Sequence, residues 1–176
     1  RFSVVVPIEG DNASWTEETV RSVLAQSHDA FDVWLLDLGP GALARRLASL
    51  DPRVRVVEVQ AGVPVFSVPA GAGGEFVTFL EPGDTLEPRA LETFADLLSE
   101  HRAVDLAYSD EDRIDERGSR VAPFFKPGWS PEYLEDYAYV GRLACYRTAI
   151  ARECWGDDES EIACRVGIRS RSVAHV

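Results

Sequence analysis

Short groups of acidic residues recur along this sequence directly after runs of apolar residues. Asp37 follows one such run, Glu81 and Asp84 follow another, and an Asp-Glu-Asp group at 110–112 follows a third. Carboxylates this close in sequence can hold a hard divalent cation through their oxygens. A single carboxylate can also accept a proton from a reacting hydroxyl group. These segments are therefore where the sequence could carry chemistry.

The apolar runs predict β-strands, and the segments between them predict helices. Residues 2–6 form a nearly continuous apolar run, typical of a strand buried on both faces. The other predicted strands are 31–37, 54–59, 75–80 and 104–108. Apolar residues recur at helical spacing over 15–26, 43–50 and 88–98, with Pro88 in the first helical turn. This alternation predicts a single α/β domain over 1–176, with a mainly parallel sheet and crossover helices.

Ligands of open parallel sheets bind beyond the carboxyl ends of the strands. The segments that follow the predicted strands are 7–10, 37–40, 81–84 and 110–112, and we expect them to border one site. Residues 113–124 are predicted to form a hairpin with Gly118 near its tip. Residues 60–74 carry no charge, and we interpret them as an ordered loop that covers the sheet edge.

One long motif carries a family resemblance. Tyr-Ser-Asp-Glu-Asp begins at residue 108, and Phe-Lys-Pro-Gly-Trp-Ser-Pro occupies 125–131. Over 108–134 the chain resembles a signature of glycosyltransferase family 2, inverting enzymes that move sugars from nucleotide donors onto growing polysaccharides. The resemblance implies a GT-A fold, a Rossmann-like three-layer α/β sandwich. It also implies that the acids at 110–112, although they look like an Asp-x-Asp metal site, fix the hairpin and the acceptor side.

The resemblance implies a nucleotide-sugar site, in which several positions depart from the family pattern. Pro7 matches a family proline beside the nucleotide base, whereas Glu9 and Gly10 replace a tyrosine and an asparagine. Asp37 keeps one acid of a pair that contacts uracil, and its other interpretation is a cap on the turn after the strand. The segment 60–74 lacks the arginine and the asparagine through which family members contact the donor.

The family binds its divalent cation with an Asp-x-Asp motif after the fourth strand. The matching residues here begin with Glu81, a candidate donor contact and metal ligand, and Gly83 removes the motif's second carboxylate. Asp84 and His175 complete the candidate ligand set. The interpretation we favour for this segment is a Pro-Gly-Asp turn before the next helix, and a lone histidine such as His175 is more often structural. The resemblance therefore implies that an active domain binds Mn²⁺ or Mg²⁺ weakly. The alternative is a domain that binds no cofactor.

Glu159 is the candidate general base. An inverting transfer needs a carboxylate that accepts the proton of the acceptor hydroxyl while the sugar carbon is attacked in line. By the resemblance, this carboxylate belongs to a late helix, whose start matches Asp158-Glu159-Ser-Glu-Ile. The other interpretation of Glu159 is an acid in the first turn of a helix, where the helix dipole favours it.

The composition of the sequence indicates which partners and which location to expect. The formal net charge of −12 argues against a nucleic-acid surface. Cys145, Cys154 and Cys164 show no Cys-x-x-Cys spacing, so we expect reduced core thiols in a cytoplasmic domain. No apolar run approaches the roughly 20 residues that span a bilayer. Any attachment to the inner face of the membrane would then come from the rest of a longer parent protein with further domains, from which this chain looks excised.

Three functions are compatible with these residues. The first is a glycosyltransferase that takes a UDP-type nucleotide sugar and a saccharide or lipid-linked acceptor. The second is a non-catalytic glycosyltransferase-like domain that serves assembly or acceptor binding in a larger enzyme. The third is an unrelated nucleotide-binding module, which is disfavoured because the sequence has no Gly-x-Gly-x-x-Gly or phosphate-loop motif. The departures from the donor motifs predict weak transfer or none.

Overall fold

The structure is a computed structural model that describes residues 1–8, 13–39, 41–60, 62–154, 156 and 158–176, without the side chain of Glu135. The elements formed by these residues are, in chain order, β1 (Phe2–Ile8), α1 (Ala13–Leu24), β2 (Phe31–Asp37), α2 (Ala42–Ala48), β3 (Val54–Glu58), β4 (Phe76–Phe79), α3 (Ala90–Glu100), β5 (Leu106–Tyr108), β6 (Glu111–Ile114), β7 (Arg120–Phe124), α4 (Pro131–Asp136), β8 (Ala144–Arg147), α5 (Thr148–Ala151), α6 (Glu159–Arg169) and β9 (Val173–His175).

The central sheet has seven strands in the order β3-β2-β1-β4-β8-β5-β9 within the described chain. Its pairs are parallel, except that β8 runs antiparallel to both β4 and β5. The beginning of β8 therefore lies at the same edge of the sheet as the ends of β4 and β5. We call this edge, where β1, β2, β4 and β5 end, the carboxyl edge.

Helices cover both faces of the sheet, which explains why β1 and β2 are buried along their whole length. Alternate residues of a strand point to opposite faces. Val4 and Leu35 accordingly belong to the core beneath α1, α2 and α3, whereas Val5 and Trp34 belong to the core shared with α4, α5 and α6. The result is a three-layer α/β sandwich with a mainly parallel sheet, as the sequence predicts.

Two local predictions need correction. The helix predicted to start with Pro88 begins at Ala90, because Arg89 precedes it with a non-helical backbone (φ −108°, ψ 10°). The segment 60–74 covers a face of the sheet instead of its edge. Its buried residues Phe66 and Ala72 pack in the same core as Trp34 and Val77.

The predicted hairpin is confirmed, and β6 pairs with β7 as a two-stranded sheet of its own. Gly118 occupies its turn with a positive φ of 78°, a backbone conformation that residues other than glycine rarely adopt. The Asp115 carboxylate accepts hydrogen bonds from the backbone N–H groups of Arg117 and Ser119, each at 2.9 Å. Across the ranges given above, no helix combines the length and the apolar character needed to cross a membrane.

Candidate active site at the carboxyl edge

The turn after β4 presents the first two site residues, Glu81 and Asp84. Asp84 donates its backbone N–H to the carbonyl of Glu81 (3.0 Å), and Gly83 has a φ of 102°. The sequence predicts a turn at Pro82-Gly83-Asp84, and proline followed by a glycine with positive φ is typical of a type II turn. The Asp84 carboxylate accepts the backbone N–H of Glu81 at 2.7 Å, and so locks the turn.

Arg142 brings three carboxylates together at this edge. Its Nη2 lies 2.7 Å from Glu81, its Nε lies 3.0 Å from Asp84, and its Nη1 contacts Glu159. Arg142 precedes β8, and the antiparallel direction of that strand places the residues before it at the carboxyl edge. We call these four residues the Arg142 cluster.

Glu159 is the most buried acid of the Arg142 cluster, with 7% of its surface exposed. It is the first residue of α6, whose N-cap Asp158 accepts the backbone N–H of Glu161 at 2.9 Å. Burial raises the pKa of Glu159 to about 7, although the Arg142 guanidinium beside it acts in the opposite direction. Among the described residues, the buried Oε1 of Glu159 has no hydrogen-bond partner. This carboxylate can therefore exchange a proton near neutral pH.

Asp84 and Arg142 in this cluster also have altered pKa values. Burial also raises the pKa of Asp84, against the attraction of Arg142. For Arg142 itself burial alone would lower the pKa, but Glu159, Asp84 and Glu81 together raise it above its usual range. The guanidinium therefore stays charged, and the carboxylates of Glu81, Asp84 and Glu159 share its N–H groups.

The motif of 108–134 holds the backbone that presents Arg142. The Glu111 carboxylate accepts the backbone N–H of Arg142 at 2.7 Å, and the ammonium group of Lys126 donates to the carbonyls of Val140 (2.6 Å) and Arg142. Asp110 accepts the backbone N–H of Lys126 at 2.8 Å. These contacts agree with the interpretation that the acids at 110–112 fix the hairpin.

His175 contacts Asp110, whereas Glu81 and Asp84 contact Arg142. Its Nε2 is 2.8 Å from Asp110, and its ring stacks on Tyr108 with a centroid distance of 4.8 Å. Within the part of the chain that the structure describes, no group of three or more His, Cys, Asp or Glu side chains is arranged to hold a metal ion. The proposed ligand set of Glu81, Asp84 and His175 is thus not brought together, and the first two carboxylates already bind Arg142.

The residues predicted to contact the nucleotide lie at the ends of β1 and β2. Pro7 is buried in β1 opposite Leu36. Asp37 ends β2, and its Oδ1 accepts the backbone N–H of Gly39 at 3.0 Å, as expected of a turn cap. Its Oδ2 is buried and has no hydrogen-bond partner in the described chain, so the second interpretation, contact with a base, stays open. Glu9 lies outside the described residues.

A cleft of about 610 Å³ opens beside the Arg142 cluster. It runs between the turn after β4, the start of α3 and the hairpin. Its charged lining residues are Asp84, Glu87, Asp110, Glu111, Asp112, Arg113, Arg120 and Arg142. Acids outnumber bases in this lining, so an anionic ligand would need local positive charge to bind there.

The architecture is similar to that of solved glycosyltransferases. TarS residues 1–349 from S. aureus superimpose with a TM-score of 0.75 and 17% identity over 100% of this chain and 58% of that one. The mannosyltransferase PcManGT from Pyrobaculum calidifontis, solved with GDP-Man and Mn²⁺, gives a TM-score of 0.65 and 18% identity over 100% of this chain and 54% of that one. The chain has a GT-A fold. TarS has also been solved with UDP-GlcNAc and with UDP.

Sequence relatives agree in part. Uncharacterized protein y4gI from Sinorhizobium fredii is 29% identical over 99% of this chain, and O-antigen biosynthesis protein RfbC from Myxococcus xanthus is 28% identical over 99%. The chain spans only 21% of the first relative and 15% of the second. No protein-family model matches the chain. These likenesses support a glycosyltransferase-like domain.

Sequence reasoning missed Arg142. It stands in Val140-Gly-Arg-Leu, outside any motif with a recognised function. One signal was present in Gly141, whose φ is +45° and where a Cβ atom would lie 2.6 Å from Glu111. A glycine before a charged residue can mark a backbone that must approach another group closely.

Proposed function

We propose that this chain is the glycosyltransferase domain of a longer protein of polysaccharide assembly, resembling the inverting enzymes of glycosyltransferase family 2. It would transfer a sugar from a nucleotide-sugar donor to a saccharide or lipid-linked acceptor. The observation that carries this proposal is Glu159. The carboxylate identified from sequence as the base lies at the carboxyl edge of a GT-A sheet, is buried, and has a pKa near 7.

Glu159 suits the role of general base on chemical grounds. Its carboxylate would take the proton of the acceptor hydroxyl as that oxygen bonds to the anomeric carbon and the bond from that carbon to the nucleotide diphosphate breaks. Attack from the face opposite the leaving group inverts the anomeric centre. A base works best when its pKa lies near the working pH, and burial supplies that pKa here.

The donor is proposed to be a UDP-type nucleotide sugar. Support comes from the orphan Oδ2 of Asp37 at the end of β2, which could accept a hydrogen bond from a nucleobase. Pro7 lies one residue before the β1 partner of Asp37. TarS has been solved with UDP-GlcNAc. The three cysteines are unpaired, which agrees with a cytoplasmic location.

An aromatic surface beside the hairpin supports a saccharide acceptor. Tyr133 stacks on Tyr137 and on Tyr139, with centroid distances of 5.7 and 5.5 Å. Tyr133 and Tyr137 remain about half exposed, and Phe124 at the end of the hairpin packs edge-on against Tyr137. Exposed aromatic groups gathered in this way are typical of binding surfaces, and a flat ring can cover the apolar face of a sugar.

One observation favours the alternative, a non-catalytic domain for assembly or acceptor binding. Glu81, Asp84 and Glu159 are all engaged by Arg142, so the residues expected to face the donor bind one another. In that case the domain would keep the acceptor surface and lose the transfer.

A transfer assay separates the two functions. The full-length parent protein is supplied with UDP-sugars and saccharide acceptors, and nucleotide release and product are measured. We expect turnover that falls by ~10²–10⁴-fold in Glu159→Gln, while Glu116→Gln at the exposed hairpin tip leaves it unchanged. Absence of turnover in the wild type, with acceptor binding retained, would establish the alternative. Full activity of Glu159→Gln would remove Glu159 from the mechanism.

A further inference from the structure

The backbone of Arg142 is held in place by neighbouring side chains. Its backbone N–H is bound by Glu111 and its carbonyl by the buried ammonium of Lys126. The preceding Gly141 has a φ of +45°, and a Cβ atom there would lie 2.6 Å from Oε2 of Glu111. A third of the Arg142 side chain is exposed, yet both ends of its residue are anchored. The fold therefore fixes the backbone from which the guanidinium extends, and three carboxylates hold the guanidinium itself.

The guanidinium takes up the oxygen ligands that a divalent cation would need. Mn²⁺ and Mg²⁺ bind proteins mainly through carboxylate oxygens. Glu81 and Asp84 supply such oxygens in the turn after β4, but Arg142 contacts both, and Asp84 also accepts the N–H of Glu81. Its third contact, with Glu159, draws in the remaining acid of the Arg142 cluster.

We propose that Arg142 takes the place of a divalent cation at the carboxyl edge. The site then carries its own fixed positive charge, and it excludes Mn²⁺ and Mg²⁺. The mannosyltransferase PcManGT has been solved with Mn²⁺, so the GT-A fold by itself does not forbid the ion. Arg142 adds to the loss of the motif's second carboxylate at Gly83, and its contacts are present whether or not the domain transfers sugar.

As placed in the described chain, Glu81, Asp84 and Glu159 do not form a metal site. Removing the guanidinium should free their oxygens to close around a cation. Without Arg142 the carboxylates of Glu81, Asp84 and Glu159 would face one another with no positive charge between them. Like charges in a partly enclosed site repel strongly, and a divalent ion relieves that repulsion. The change from Arg142 to Gln removes the charge and keeps a side chain of similar polarity.

Calorimetric titration with MnCl₂ tests the proposal on the wild-type chain and three variants. We expect Arg142→Gln to bind one Mn²⁺ at least tenfold more tightly than the wild type, a difference of about 1.4 kcal/mol. Arg142→Lys keeps the charge and should retain the weak wild-type affinity. Arg113→Gln removes a charge from the lining of the same cleft, away from the Arg142 cluster, and should also bind like the wild type.

Thermal melting gives a second readout. Arg142→Gln should melt below the wild type without metal, and Mn²⁺ should raise its melting temperature while leaving that of the wild type unchanged, because only a bound ion stabilises the folded state. Equal Mn²⁺ affinity in the wild type and Arg142→Gln would overturn the proposal. If Arg142→Gln does not fold, Mn²⁺ titration of the wild type tests the proposal. Tight Mn²⁺ binding that is abolished by Glu81→Ala would refute the proposal, and absence of binding would support it.

Discussion

The ammonium group of Lys126 lies 2.9 Å from the carboxylate of Glu111, and the lysine side chain is fully buried. The pair joins the two halves of the 108–134 motif, since Glu111 begins β6 and Lys126 follows β7. Both residues also bind the backbone around Arg142. The motif by which the chain resembles a glycosyltransferase family thus supports the residue at the centre of the site.

Lys126→Met should destabilise the protein. The change removes the ammonium from two backbone carbonyls and leaves the Glu111 carboxylate without its buried partner. Breaking a buried ion pair from one side typically costs about 3–5 kcal/mol. Urea unfolding measures this loss, with Arg117→Met on the exposed hairpin tip as the control, expected within about 0.5 kcal/mol of the wild type. A loss for Lys126→Met no larger than that of the control would show that the pair is not structural.

The raised pKa of Glu159 predicts a pH-dependent stability. Burial favours the protonated acid in the folded state, from its ordinary value of 4.5 up to about 7. The folded state therefore binds more protons than the unfolded state between these values, and the free energy of unfolding falls as the pH rises through this window. A shift of this size corresponds to at most about 3 kcal/mol.

Glu159→Gln removes that titration. We expect the variant to gain stability relative to the wild type as the pH is raised from 5 to 8, as measured by urea unfolding at each pH. Glu116→Gln serves as the matched control and should follow the wild type. A wild-type curve whose difference from Glu159→Gln is flat across this range would mean that Glu159 ionises normally.

Asp105 predicts the opposite pH response. Its side chain is fully buried, and its carboxylate binds Arg171 through three N–H groups and Arg147 through Nε at 2.5 Å. Hydrogen bonds from Arg171, with help from Arg147, lower the pKa of Asp105 well below 3.8. This stabilisation is complete above pH 3.8 and is lost as the pH falls towards the depressed pKa.

Asp105→Asn should accordingly lower the free energy of unfolding by about 3 kcal/mol at pH 7, because it leaves two arginines facing a neutral amide. The deficit should shrink when the measurement is repeated near pH 3. Asp96→Asn, on the exposed side of α3, is the control for removing one acid from a chain of net charge −12. An equal loss in both variants would assign the effect to overall charge.

Nucleotide sugars should stabilise the isolated chain only slightly. A ligand at a hundredfold excess over its Kd stabilises the folded state by about 2.7 kcal/mol, which shifts the melting temperature by several degrees. Here the acids expected to organise the donor already bind Arg142, and the cleft lining is acidic. Melting curves with millimolar UDP-, GDP- and TDP-sugars, with and without Mn²⁺, should therefore stay nearly flat. A clear shift with one nucleotide would contradict this expectation and identify the donor.

The fold was predictable because its signals are local. The strand predicted at 31–37 has the bounds of β2, since a mostly apolar run of this length is typical of a strand buried between two layers. The turn after β4 was also predictable, because Pro82, Gly83 and Asp84 are residues typical of turns. The strand β8 was not predicted, because four residues carry too little periodicity to indicate a strand. Its place in the sheet depends on neighbours distant in sequence.

The candidate site was predictable only in part, for the same reason. Glu159 was predicted as a candidate because the resemblance places a base at the start of a late helix, and the structure places it at the start of α6. Its partner Arg142 was not, because the relation between them spans 17 residues and depends on the direction of β8. A single arginine has no spacing that distinguishes it from the other basic residues of this chain.

The burial of Lys126 has a consequence for the chemical reactivity of the domain. It is the only lysine in the sequence, and none of its side chain is exposed. Reagents and enzymes that modify lysine amines therefore have no accessible lysine target while the domain is folded. Acylation of Lys126 would report the opening of the hairpin and its supports, which makes one side chain a covalent probe of the native state.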